Sequence, residues 1–594
     1  MKRLLHFALA LASFSSSFAQ TTYVDFEVNG FHLPISSNGD ISGGGEIMNM
    51  TTPGVDAGTI YAANMWLVGL TSDDQLRGGV ETFQSAGQGF FCGPLTLGTA
   101  ETNQTTMDAY DEVYLANSED VQTHMAYFEA LANNTVATDF PDGYTIPEWM
   151  FGWPAHGDYT INQALYLAPF YDYNGDGVYN PEEGDYPLFC GDKCAYVIFN
   201  DRGAINPIGI QPIGIEVHMM VYGFETTGDP TLENTIFIKY KIINRGTQTL
   251  TDTYFGKWID FDIGSSIDDY VATDVKRSAI YGYNADDSDE GTSSSSGYGD
   301  DLAAQGLVFL AGPMLDADAT DNPLPDETYS GITDSYGAYG YGFGDGIVDN
   351  ERFGLSSSIY YNIGSNPIFG DPNTSMAFYN YMHSTWQNGA SVKYGGNGVS
   401  GAGVTDLYAQ YFYPGDTDPL YTGTGGIAVD PWTEANSGNP PGDRRMLGAA
   451  GPFTLTPGSE TIVDLAYVFA RQSQSDNDDE VGLLQFRMQQ AKNLFNLFLV
   501  DCGNQEGLPT SVNETTPLAS FSMFPNPANT TLNIVLKQRT QGQVQIFSAN
   551  GQLMIQQNLA AQYTAQTIDV STLSAGVYFV KMAGNAEVHQ LIIQ

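Results

Sequence analysis

Thr235-Ile236-Phe237-Ile238-Lys239-Tyr240-Lys241-Ile242-Ile243 is the stretch on which the fold turns. Successive side chains of a strand point to opposite faces, so Ile236, Ile238, Tyr240 and Ile242 form one apolar face. Asn244-Arg245-Gly246 follows as a turn. Thr253 to Ile259 then predicts a second strand with Trp258 available to the core, and the pair is expected as a hairpin of a β-sandwich. Thr461 to Ala470 predicts another strand of the same kind.

Working outward, runs of strand character recur from Gln20 to about Gly503, broken by Gly, Asn, Asp and Pro clusters. The chain is therefore expected to be mainly β. A large β-sandwich-type core, in one or two units, fills 20–503 and carries one or two helices. Val481, Leu484, Met488, Ala491, Phe495 and Phe498 recur at helical spacing and predict an amphipathic helix over about 479–499. Asp476, Asp478, Asp479 and Glu480 stand at its start, where the helix dipole favours negative charge. Glu119 to Ala132 is a weaker helical candidate. Asp286 to Asp301, Gly337 to Gly346 and Asn388 to Gly403 are low in complexity and read as surface loops. Residues 504–520 read as a linker.

The 594 residues carry 21 Lys and Arg against 69 Asp and Glu, a formal charge of −48. Phosphate backbones and anionic membrane surfaces need concentrated basic residues, so neither nucleic acid nor such a membrane is an expected partner. The acidity fits a solvated secreted surface and, in places, carboxylates neutralised by calcium.

Residues 1–19 read as a signal peptide, with Lys2 and Arg3 ahead of the apolar Leu4 to Leu11 and cleavage expected before Gln20. No later stretch reaches the ~18 apolar residues of a membrane span. Four cysteines, Cys92, Cys190, Cys194 and Cys502, suggest disulfides in an exported chain. The simplest pairing is Cys190 with Cys194 and Cys92 with Cys502; free buried thiols are the alternative. Zinc spacing is absent.

Residues 521–594 form a compact series of short alternating strands, with the Asn550-Gly551 turn suited to a tight hairpin. Pro525-Asn526-Pro527, Asn550-Gly551-Gln552, Ile568-Asp569 and Leu573-Ser574-Ala575-Gly576-Val577-Tyr578-Phe579 together resemble the type A C-terminal sorting domain of Bacteroidetes type IX secretion cargo. The resemblance implies a small Ig-like β-sandwich read by the outer-membrane export machinery, commonly removed during export. The cargo is then released or joined to surface lipopolysaccharide.

Asp172-Tyr173-Asn174-Gly175-Asp176-Gly177-Val178-Tyr179-Asn180-Pro181-Glu182-Glu183 fits an EF-hand calcium loop. Asp172, Asn174 and Asp176 supply side-chain oxygens, Val178 its carbonyl, Asn180 the next ligand and Glu183 a closing carboxylate. Gly177 permits the sharp turn. Prolines at 169, 181 and 187 argue against flanking helices, so a structural calcium that staples the loop is expected. Asp260, Asp262, Asp268, Asp269 and Asp274 form a second acidic set, read as solvated loop charge with a second calcium as the rival. Gly344 to Glu351 echoes a calcium loop but lacks its first acidic positions.

No nucleophile motif, metalloprotease helix, P-loop or dinucleotide fingerprint occurs. His156-Gly157-Asp158 could offer a general base, but a structural histidine is the favoured reading. Met65 to Gly69, Gly93 to Leu95, Trp153 to Asp158, Asp172 to Pro187, Lys241 to Asp260 and Gly344 to Phe353 resemble segments of large secreted Bacteroidetes proteins, a resemblance that carries no activity over. The expected role is a non-catalytic, calcium-stabilised adhesin or polysaccharide-binding protein. A secreted hydrolase of polysaccharide or protein and a structural surface-layer or matrix protein are the alternatives.

Overall fold

The computed structural model describes residues 22–41, 48–49, 57–82, 89–203, 209–225, 228–291, 296–323, 340–362, 366–401, 403–471, 479–500, 502, 521–524, 528–536, 542–548, 553–559, 565–582 and 588–593. The signal peptide, the 504–520 linker, Pro525-Asn526-Pro527 and Asn550-Gly551-Gln552 lie outside them.

Two antiparallel sheets build the large core. The larger runs Asp269–Asp274, Ala279–Asn284, Ala303–Ala311, Glu460–Arg471, Thr235–Asn244, Ile215–Gly223, Lys193–Asn200 and Phe91–Cys92, with Tyr114–Asn117 also on Lys193–Asn200. The smaller runs Ser357–Tyr361, Arg444–Leu455, Leu250–Phe261, Ile60–Thr71 and Leu76–Val80. Facing side chains interlock: the Phe255 ring lies 5.6 Å from Tyr240 and 6.4 Å from Phe309. One hydrophobic cluster runs through both sheets from Phe26 to Leu499. Burying this much apolar side-chain surface is the main force holding the sheets together.

The alternating stretch lies mid-sheet, paired Thr235↔Val468 on one side and Tyr222↔Phe237 on the other. The two segments with the plainest strand pattern are thus direct neighbours. The expected hairpin is a correction. Thr235–Asn244 and Leu250–Phe261 belong to opposite sheets, and Asn244-Arg245-Gly246 is the corner between them. Buried Asn244 holds that corner: its amide donates to the Gln248 and Leu455 carbonyls at 2.9 and 3.1 Å and accepts from Gly246 N at 2.9 Å. Its side chain satisfies backbone groups that a ladder would otherwise have paired.

The outer face of the larger sheet is covered by helix Glu480–Leu494, capped by the Asp479 carboxylate, which accepts from Gly482 N. Leu484, Met488, Ala491 and Phe495 are buried as the spacing predicts. The weaker candidate is also a helix, Ser118–Asn133, with Asn117 as N-cap and Asn134 left-handed at its end.

The cysteine pairing differs from expectation. Cys190 bonds Cys502 with Cα atoms 5.5 Å apart, while Cys92 and Cys194 are buried thiols. Cys92 pairs with Phe199, five residues along the strand from Cys194. At ~3.3 Å per residue that is roughly 16 Å away from the end where Cys190 sits, out of disulfide reach.

The C-terminal segment packs a three-stranded sheet, Phe521–Phe524, Thr531–Leu536 and Ala565–Asp569, against a four-stranded one. The latter runs Leu553–Leu559, Gly542–Ser548, Gly576–Met582 and Val588–Ile593. Leu532, Ile534, Val544, Ile546, Ile568, Val580 and Leu591 fill its own core. Among the described residues no helix is long and apolar enough to cross a membrane.

Candidate metal loop and aromatic groove

The 172–183 segment forms a closed acidic loop in which backbone amides donate to the loop's own side-chain oxygens. Asp172 accepts from Gly175 N and Gly177 N, each at 2.7 Å, and from Asp176 N at 3.2 Å. Asp176 accepts from Val178 N at 2.8 Å, and Asn180 accepts from Glu182 N at 3.1 Å. Gly177 has φ +78°, a left-handed conformation that favours glycine. The Asn174 amide nitrogen lies between two carboxylates, 3.1 Å from Asp176 Oδ2 and 2.6 Å from Glu183 Oε2. Asn174 Oδ1 is engaged as well, accepting from Asp176 N at 2.9 Å. Of the six predicted ligands, the structure thus brings Asn174, Asp176 and Glu183 together. Asp172 binds the loop backbone, Asn180 caps the short 3-10 turn Pro181–Glu183, and Val178 stands in the loop with its side chain exposed.

Two residues that the loop motif does not contain hold it in place. Buried Asp185 accepts from Tyr173 N and from Asn180 N, each at 2.8 Å, clamping both arms. Burial raises its carboxyl above the usual range, those two amides oppose the rise, and the charges of Asp172 and Asp176 add to it. His156 accepts from Tyr179 N through Nε2 at 2.8 Å, and its Nδ1 lies 2.9 Å from the Leu165 carbonyl. Both ring nitrogens are occupied by backbone, which makes His156 a strut of the loop and not a general base. A carboxylate two residues past a calcium-loop motif is a signal available to sequence reading; the His156 contact is not.

His218 is likewise engaged at both nitrogens, 3.0 Å from the Tyr196 hydroxyl and 3.0 Å from Glu216. Glu216 also accepts from Arg245 at 2.7 Å and from Leu95 N at 2.8 Å. Burial alone would raise its carboxyl, but His218 and Arg245 outweigh that and bring it down to about 2. This buried network ties Glu216, His218 and Arg245 to the backbone around Leu95.

The second acidic set does not meet at one point as a whole, Asp260 and Asp262 lying together with Asp443 instead, and its reading as solvated charge is corrected. Asp260, Asp269 and Asp274 are fully buried. Asp269 accepts from Ile263 N at 2.9 Å, and Asp274 pairs with Arg277 at 2.6 Å. Strand ends carry unpaired amides, and Asp269 and Asp274 turn inward to satisfy them, Asp274 accepting from Arg277 N at 3.0 Å. In the 344–351 echo, Asp321 accepts from Gly344 N and Gly346 N, each at 2.8 Å, so backbone donors fill that loop.

The glycine-rich 388–403 stretch is a further correction: much of it is wall, not surface loop. Val392, Tyr394 and Gly398 are buried against Trp386, Phe412 and Trp432. A Cβ on Gly398, at φ +79°, would lie 2.4 Å from Phe412. Beside this wall opens a groove of about 790 Å³ lined by Tyr394, Thr405, Leu407, Tyr421, Asp430, Trp432 and Asn436. Trp432 and Tyr394, ring centroids 4.9 Å apart, belong to its floor, with their polar tips bonded to the Gly396 and Asp430 carbonyls. Tyr421 is half-buried at φ 55° and ψ 34°, unusual for a bulky residue. Asp418 enforces it, accepting from Thr422 N at 2.9 Å and Gly423 N at 2.8 Å. Such enforced conformations cost about 1–3 kcal/mol and concentrate at binding sites.

Comparison with known proteins assigns the end of the chain. Residues 522–594 match the family described as a secretion system C-terminal sorting domain. The chain is a secreted, cell-surface-directed cargo of type IX secretion, and this domain is its point of contact with the export machinery. No curated protein matches the chain. Among solved structures, a protein titled polysaccharide lyase is similar at 9% identity and a TM-score of 0.18, over 67% of this chain and 39% of that one.

Proposed function

We propose that the chain is a non-catalytic, calcium-stabilised protein of the cell surface that binds polysaccharide in the Tyr394–Trp432 groove. The observation that carries this reading is the combination of an aromatic floor with a rim of hydrogen-bonding groups, Thr405, Asp430 and Asn436, in a groove of about 790 Å³. Sugars offer C–H faces that pack on aromatic rings and hydroxyls that bond to such rims. Tyr421, held out of the common backbone regions at the groove edge, is the expected stacking ring. Calcium in the 172–183 loop stabilises the surface segment around His156 and Asp185.

The test is retention of the full secreted chain on a panel of immobilised polysaccharides, with release of reducing ends read from the same samples. Retention without release, weakened about tenfold or more by Tyr421→Ala, is expected. Release of sugar ends would replace this reading with the hydrolase. Self-association with no retention on any polymer would replace it with the structural surface protein.

A further inference from the structure

A different place in the fold gathers three carboxylates. At one end of the smaller sheet, Leu250–Phe261 pairs with Arg444–Leu455 so that Asp260 faces Arg445. Continuing that register brings Asp262 opposite Asp443. Like charges directly opposed across a sheet repel. Yet one oxygen from each of Asp260, Asp262 and Asp443 lies within 4.8 Å of the others.

Arg445 neutralises part of this charge, bonding Asp260 Oδ2 at 2.8 Å and Asp443 Oδ1 at 2.7 Å. Asp371 adds negative charge from nearby. The telling atom is the other oxygen of Asp260. The residue is 1% exposed, and its Oδ1 has no hydrogen-bond partner among the described residues. A second oxygen shares that condition. Tyr361 is the cross-strand neighbour of Arg445, and its buried hydroxyl has no partner either. Leaving a buried polar oxygen without a partner is costly, so native folds rarely do it unless something else supplies the contact.

We propose that Asp260, Asp262 and Asp443 hold one hard divalent cation of the calcium class, separate from the 172–183 loop. Carboxylate oxygens select such ions, and calcium completes its shell with water on an open side. Asp443 provides that side, being 32% exposed, while Asp260 closes the other. The ion joins the end of Leu250–Phe261 to the start of Arg444–Leu455, next to the segment that leads from Trp432 of the groove.

The experiment titrates calcium chloride into the chelator-stripped full secreted chain carrying Asp172→Asn and Asp176→Asn, which disables the loop. One ion per chain is expected to bind still, and adding Asp262→Asn with Asp443→Asn is expected to abolish it. Terbium luminescence excited through tyrosine provides a second readout, which Tyr361→Phe should dim while the bound stoichiometry stays unchanged. Circular dichroism verifies that each variant is folded. No binding by the folded loop variant, or binding indifferent to Asp262 and Asp443, overturns the proposal. Failure of the 172–183 loop would show separately, as full retention of calcium by the loop variant.

Discussion

Lys257 donates to the hydroxyl of Tyr240 at 2.9 Å across the interior of the sandwich, a bond between the two large sheets. Both residues are completely buried. Burial lowers the Lys257 amine to about 7, with Asp40 opposing the fall.

A lysine whose pKa drops on folding has a fixed sign of pH dependence. Between about 7 and its ordinary 10.5, the unfolded chain binds the extra proton, so stability rises with pH through that window. Lys257→Met is expected to abolish this slope and to stabilise the protein near pH 7 by up to roughly 4 kcal/mol. Urea midpoints of both proteins at three values across the window check it. Parallel curves would mean that Lys257 stays charged in the fold.

Glu216 gives the same sign of slope, stability rising with pH, in an acid window between about 2 and 4.5. Its stabilisation is complete above the ordinary 4.5 and is lost as pH falls toward about 2. Glu216→Gln should cost roughly 3 kcal/mol at neutral pH and flatten acid unfolding in that range. An unchanged acid limb would remove the His218–Glu216–Arg245 network from the account of stability.

The Cys190–Cys502 bond spans 312 residues of sequence, so breaking it should release much unfolded-state entropy, about 2–5 kcal/mol. Cys190→Ser and Cys502→Ser should lower the melting temperature equally, and reductant should bring the parent to the same value. Cys92 and Cys194, both buried, should resist a bulky maleimide until the chain unfolds. Labelling of either in the native protein would contradict this packing.

Asp185→Asn leaves the 172–183 side chains intact but weakens the clamp on Tyr173 and Asn180. If the loop binds calcium, its affinity should fall ~10–100-fold, as for other residues that support metal ligands. Calorimetry with calcium measures the fall, and an affinity equal to that of the parent would reduce Asp185 to a packing role.

Gly398→Ala tests the groove wall, because the added methyl would meet Phe412 at 2.4 Å. A loss of about 1–3 kcal/mol is expected, together with weaker polysaccharide retention. A variant as stable as the parent would show that the wall has room to move.

Local pattern determined what is local in origin. The alternation from Thr235 to Ile243, the helical spacing from Val481 to Phe495 and the strand series of the sorting domain all depend on neighbours a few positions away. Each appears in the fold as the sequence predicts. What the tertiary structure decided is which distant pieces meet. Asn244 turns the chain into the opposite sheet and not into a hairpin. Cys190 finds Cys502, Asp260 finds Asp443, and the glycines near 398 lie against Trp386 and Phe412. None of these partners is close in sequence. Their meeting follows from burying one shared apolar cluster, in which every local segment is compatible with more than one neighbour.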